Sequence, residues 1–127
     1  SLVKTNGNSA DIQIEVVPVI GLTRLGGANV TCATGAKGIT AAQIKIGIST
    51  LTPTSVQNVT AHEVGHVLGL DHARIGGARN DLMAENFSLL AGLTNVVCPS
   101  SLDVGALNAK TASFSLAAGK WSAPKSC

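Results

Sequence analysis

Tyrosine is absent from this chain, and the remaining aromatics are Phe87, Phe114 and Trp121 among 127 residues. An interior cannot be built on so few rings, so the 45% of apolar residues must pack mainly as Ala, Val, Ile and Leu. Also missing is any run of basic residues interleaved with aromatics. The nine Lys and Arg are scattered and the formal charge is only +2, which excludes nucleic acid as the expected partner. No apolar stretch approaches the roughly 20 residues that cross a bilayer, because Gly or a polar residue breaks each one, so no membrane partner is expected. The opening Ser1-Leu2-Val3-Lys4-Thr5 has no part of a signal peptide and no initiator Met, and reads as the start of a mature or excised chain.

Cys32, Cys98 and Cys127 have no CxxC spacing. That excludes a zinc knuckle or a dithiol redox motif and leaves disulfides as their expected use. Three single bridges are open to three cysteines; Cys98 with Cys127 is preferred because it would close a C-terminal loop. The length allows one domain, residues 1–127, without a second core of useful size.

Ile12, Ile14 and Val16 alternate with Gln13 and Glu15, the period of a half-buried strand, and Pro18 should end it or push it to an edge. Residues 21–27 read as a loop and 28–33 as a short strand before the turn at Gly35-Ala36-Lys37-Gly38. Ile44, Ile46 and Ile48 alternate with Gln43, Lys45 and Gly47, giving a further strand with one buried face. After Pro53, Thr54 and Gln57 fit a capping box for a helix to about Leu68, with Gly69 as its left-handed stop. Residues 71–97 carry no sustained period and read as irregular. Ser100 and Asp103 open a second helix through about Thr111.

All three histidines of the chain fall within His62-Glu63-Val64-Gly65-His66-Val67-Leu68-Gly69-Leu70-Asp71-His72. Four residues apart on a helix, His62 and His66 project from one face and can reach the same ion. If the chain turns back at Gly69, His72 supplies a third nitrogen. Zinc suits three neutral imidazoles and keeps a fourth position open for water. Glu63 lies at the edge of the ligand face, where a carboxylate can accept the proton of a zinc-bound water attacking a carbonyl and pass it to the leaving amine. The reaction so described is peptide-bond hydrolysis. Asp71 reads as a solvated turn residue. Ordinary surface histidines would account for a bare HExxH. The added Gly69 and His72 argue against that, since the full pattern arises by accident on the order of a few times per million chains of this size.

The segment resembles the zinc-binding motif of the metzincin metallopeptidases, and most closely that of the matrixin branch, whose pattern HExGHxLGLxH it follows throughout. The resemblance implies that His62, His66 and His72 hold the catalytic zinc, that Glu63 is general base and acid, and that Met83 occupies the methionine turn. Ala10-Asp11-Ile12 and Leu102-Asp103-Val104-Gly105 are similar to matrixin sequences at corresponding places. The implied fold is α+β: a small twisted mixed β-sheet packed on an active-site helix, with a C-terminal helix, a reduced metzincin-like (zincin) architecture. Its upper part would span about 10–70 and its lower part about 71–127. Carried over by order, an edge strand within 28–34, including Ala28, Asn29 and Val30, would pair with substrate, and a pocket wall within 84–90 would include Phe87 and Leu90.

Three departures from matrixins stand out. Ala73 replaces the usual Ser. The strands and long helix that precede Ala10 in matrixins do not fit into nine residues, which implies a reduced version or an upstream segment removed or held elsewhere. No histidine precedes His62 to hold a structural zinc, so one zinc is expected; calcium is not indicated, though backbone carbonyls leave it open. The expected function is a secreted zinc endopeptidase acting on peptide or protein, with an inhibitory prosegment in its precursor. The alternative is a zinc-binding but inactive or latent module of the same fold.

Overall fold

The alternation at Ile12, Ile14 and Val16 becomes strand β1, Ile12–Val17, which stops before Pro18. A computed structural model of the chain describes residues 10–21, 25–32, 39–49, 51–70, 72, 82–84 and 95–109. Within these residues β2 spans Gly26–Cys32 and β3 spans Ile39–Gly47. β3 lies between the others, parallel to β1 and antiparallel to β2, so the sheet is mixed. The register sets Ile14, Ile44 and Ala28 in one row, and Val16, Ile46 and Gly26 in the next. Because side chains alternate across a strand, these rows share one face of the sheet. On the other face Gln13 stands beside Gln43 and Asn29. There too Lys45 Nζ meets Glu15 Oε2 at 3.2 Å; a solvated pair of this kind contributes at most about 1 kcal/mol.

Helix α1, Pro53–Val67, packs across β2 and β3. Its start differs from the expected Thr54 cap: Thr52 is the N-cap, with Oγ1 accepting from Ser55 N at 3.2 Å. Pro53 explains the shift. Proline favours the first helical position, where its missing N–H costs nothing, and it holds the residue before it extended, as Thr52 is at ψ 161. Between helix and sheet, Ala42, Ile44, Ile46, Val59 and Val67 form an aliphatic core, as the scarcity of rings requires. On another side of α1, Leu70, Leu82 and Met83 form a second cluster with Ala61, Val97 and Leu107 against it. The helix is therefore clasped from two sides.

Helix α2, Ser101–Ala109, starts with a reciprocal cap: Ser100 N donates to Asp103 Oδ2 at 2.8 Å and Asp103 N donates to Ser100 Oγ at 3.2 Å. Residues 110 and 111, to which this helix was expected to run, lie outside the described residues. The architecture is α+β, a small mixed sheet with one helix packed on it and a short C-terminal helix, as expected for a reduced metzincin-like fold.

Four local expectations are corrected. β2 begins at Gly26, inside the stretch read as a loop, because the Gly26-Gly27 pair continues the ladder opposite Ile46 and Lys45. Ile48 falls just beyond β3 and is exposed instead of extending its buried face. On β1 the alternation yields a strand but not a half-buried one: Ile14 and Val16 are 50% and 54% exposed, because α1 covers only β2 and β3. Finally, Cys98 is a free, exposed thiol, so the preferred bridge to Cys127 is absent at Cys98. Cys127 and the Cys32 side chain lie outside the described residues.

Candidate metal centre

His62 and His66 leave α1 one turn apart, both buried. The end of the helix brings His72 to them. Gly69 takes a φ of 91°, the left-handed conformation that an L side chain resists. Around it Gly69 N donates to His66 O and Leu70 N donates to Gly65 O, each at 2.9 Å, the paired bonds of a Schellman turn. The reversal places His72 Nε2 at 3.3 Å from His62 Nε2 and 3.2 Å from His66 Nε2, which are themselves 3.1 Å apart.

These short distances are not a hydrogen-bonded ring. His62 Nδ1 donates to the Leu82 carbonyl at 2.6 Å and His66 Nδ1 donates to the Leu70 carbonyl at 2.9 Å. A carbonyl can only accept, so in the neutral ring each Nδ1 carries the proton and each Nε2 presents a lone pair. Two lone pairs 3.1 Å apart repel unless a cation lies between them. The pKa of His62 is pushed down to about 4, chiefly by burial, opposed by the Leu82 hydrogen bond and reinforced by the His66 and His72 charges. At neutral pH the His62 ring is therefore uncharged, the form in which imidazole binds a metal. Three nitrogens bound tetrahedrally to zinc at its usual bond length stand about 3.3 Å from one another. The three Nε2 atoms fit that requirement.

Met83 is fully buried and occupies the gap at Gly65. A Cβ at Gly65 would overlap Met83 Sδ and come within 3.0 Å of its Cε. Leu82 and Met83 thus act as a unit, one fixing the His62 ring through its carbonyl, the other filling the notch at Gly65, between His62 and His66 in the chain. Glu63 is buried with its side chain against the start of β2. Asn58, one turn before His62 and fully buried, donates from Nδ2 to the Asn95 carbonyl at 3.1 Å, and its Oδ1 accepts from Val97 N at 2.8 Å. It pins the segment leading to α2 onto α1.

The profile of the matrixin family matches residues 34–101, just over half of the chain. The chain belongs to the matrixin family. Comparisons with curated proteins and with solved structures return no significant match. Matrixins are zinc metallopeptidases, and in this one three histidines stand where they could hold a single metal ion. Peptides or proteins are the substrate class the family implies. Among the described residues no helix is long and apolar enough to cross a membrane.

The matrixin's expected site residues are brought together unevenly. His62, His66 and His72 converge, Met83 packs at Gly65 between two of them in the chain, and Glu63 is buried on the same helix with its carboxylate against Gly26. Ala28, Asn29 and Val30 lie on β2, an edge strand of the described sheet, with Ala28 and Val30 packed inward and Asn29 exposed. Of the expected pocket wall only Ala84 is described; Phe87 and Leu90 fall outside the described residues. Motif reading missed the carbonyls of Leu70 and Leu82, which no side-chain pattern encodes, and Asn58, whose position one turn before His62 was a usable signal.

Proposed function

We propose that this matrixin is a zinc endopeptidase in which His62, His66 and His72 hold the ion and Glu63 moves the proton. The observation that carries the reading is the triangle of three Nε2 atoms, two of them on rings whose Nδ1 is paired with the Leu82 and Leu70 carbonyls. Zinc bound there would supply the Lewis acidity that polarises a substrate carbonyl and activates water. Glu63 takes the proton from the attacking water and returns it to the leaving amine. Met83 serves as the methionine of the turn, holding the packing at Gly65 without touching the ion. The edge of β2 that is unpaired among the described residues, at Ala28, Asn29 and Val30, pairs with the extended substrate backbone. Two core clusters on different sides of α1 support an upper part of about 10–70 and a lower part of about 71–127, with the cleft between them. The setting proposed is extracellular.

Purified full chain loaded with zinc and offered a denatured protein tests this reading. The expected outcome is one zinc per chain, cleavage by the wild type, and retention of zinc with loss of cleavage in Glu63→Ala. Equal inactivity of the zinc-loaded wild type and Glu63→Ala would sink the enzyme reading.

A further inference from the structure

We infer that Gly26 is a positioning residue for Glu63, its missing side chain being what lets the carboxylate lie against the start of β2. The inference rests on the reading of Glu63 as the proton carrier. Gly26 stands opposite Ile46 on the face of the sheet that α1 covers. A Cβ built there would lie 2.6 Å from Glu63 Oε1, 2.9 Å from Glu63 Cγ and 2.7 Å from Val59 Cγ1. All three are closer than real side-chain carbons come, so something has to move. Val59 is fully buried in the core. As a β-branched residue in a helix it is also held to one rotamer, so it has nowhere to retreat. Glu63 has three rotatable side-chain bonds, so a methyl group at position 26 is accommodated mainly by displacing the carboxylate.

The requirement is one of space and not of backbone conformation. Among the described glycines only Gly69 has a positive φ, so Gly26 adopts a conformation open to any residue. The neighbouring Gly27 shows the contrast: nothing lies within 4 Å of the position its Cβ would take. Of two adjacent glycines in one strand, only the one facing Glu63 is confined. The bare backbone of Gly26 also brings the carboxylate to the edge strand along which substrate is proposed to lie.

The full zinc-loaded chain carrying Gly26→Ala tests this, with Gly27→Ala as the control for adding a methyl to β2. Gly26→Ala should lose kcat on the order of 10²-fold, the size of effect that a 1 Å misplacement produces. KM and the zinc content should be unchanged, and Gly27→Ala should match the wild type. Adding Val59→Ala to Gly26→Ala removes the conflict with the helix and keeps the one with Glu63. That double variant should fold and still have low kcat, which covers the case in which the single variant does not fold. A crystal structure of the zinc-loaded variant should show the Glu63 carboxylate displaced from residue 26. Wild-type kcat in Gly26→Ala, recovery of kcat on adding Val59→Ala, or an undisplaced carboxylate would each overturn the inference. If the wild type and Glu63→Ala are equally inert, the peptidase reading fails on its own, and the position of the carboxylate in the variant still decides the steric claim.

Discussion

Two imidazole protons, on Nδ1 of His62 and of His66, decide what the three histidines can do. Because the folded, metal-free protein holds His62 down at about 4, its neutral form is favoured over that in the unfolded chain, where histidine titrates near 6.5. Between these values the unfolded chain binds more protons, so stability present above about pH 6.5 is lost as pH falls toward 4. The metal-free protein should lose about 3 kcal/mol across that window through this group. Urea unfolding of metal-free protein at pH 7 and pH 4.5 measures it, and His62→Gln should flatten the difference. At Gly65 two effects oppose each other. Alanine there gains about 1 kcal/mol of helix propensity but crowds Met83, an overpacking that costs about 1–3 kcal/mol. We expect Gly65→Ala to be less stable overall and to bind zinc more weakly, because moving Met83 also moves the Leu82 carbonyl that sets the His62 ring. Denaturant titration and competition with a zinc chelator read the two losses separately.

Helix α1 was legible in outline, since the four-residue spacing of His62 and His66 and the stop at Gly69 are written in side chains and in a residue that tolerates positive φ. Its first residue was misread because Thr52 and Thr54 both qualify as caps by type, and only the preference of Pro53 for the first helical position separates them. Thr52→Ala should therefore cost about 1 kcal/mol in thermal or denaturant unfolding, and Thr54→Ala much less. β1 shows another limit. Alternation at Ile12, Ile14 and Val16 predicts a strand correctly, but periodicity carries no information on which strands a helix will cover. The Gly26-Gly27 pair misled for a related reason: glycine usually marks a turn, and here both lie in the strand, one of them where helix side chains leave no room for a Cβ.

Taken across both clusters, the fold is organised around one helix that forms the floor of the sheet core and the wall of the histidine site. Metal affinity and global stability should accordingly be coupled. Free zinc at a hundred times its dissociation constant should stabilise the chain by about 2.7 kcal/mol, less any affinity of the unfolded chain for zinc. Calorimetry of zinc-loaded and chelator-treated protein tests this, and an unfolding midpoint indifferent to zinc would contradict it. The three histidines that could hold an ion were legible in the sequence; the orientation of two of their rings was not, because it depends on the backbone carbonyls of Leu70 and Leu82.

The turn at Gly69 has a kinetic consequence. The same few peptide units end α1, carry the chain to His72 and place the Leu70 carbonyl on His66 Nδ1. Opening the Leu70 N–H bond to Gly65 O therefore releases the proton anchor of one ligand and loosens the tether of another. Fraying of this helix end and escape of the ion become a single event, so the amide of Leu70 should exchange with solvent deuterium at the rate at which zinc dissociates.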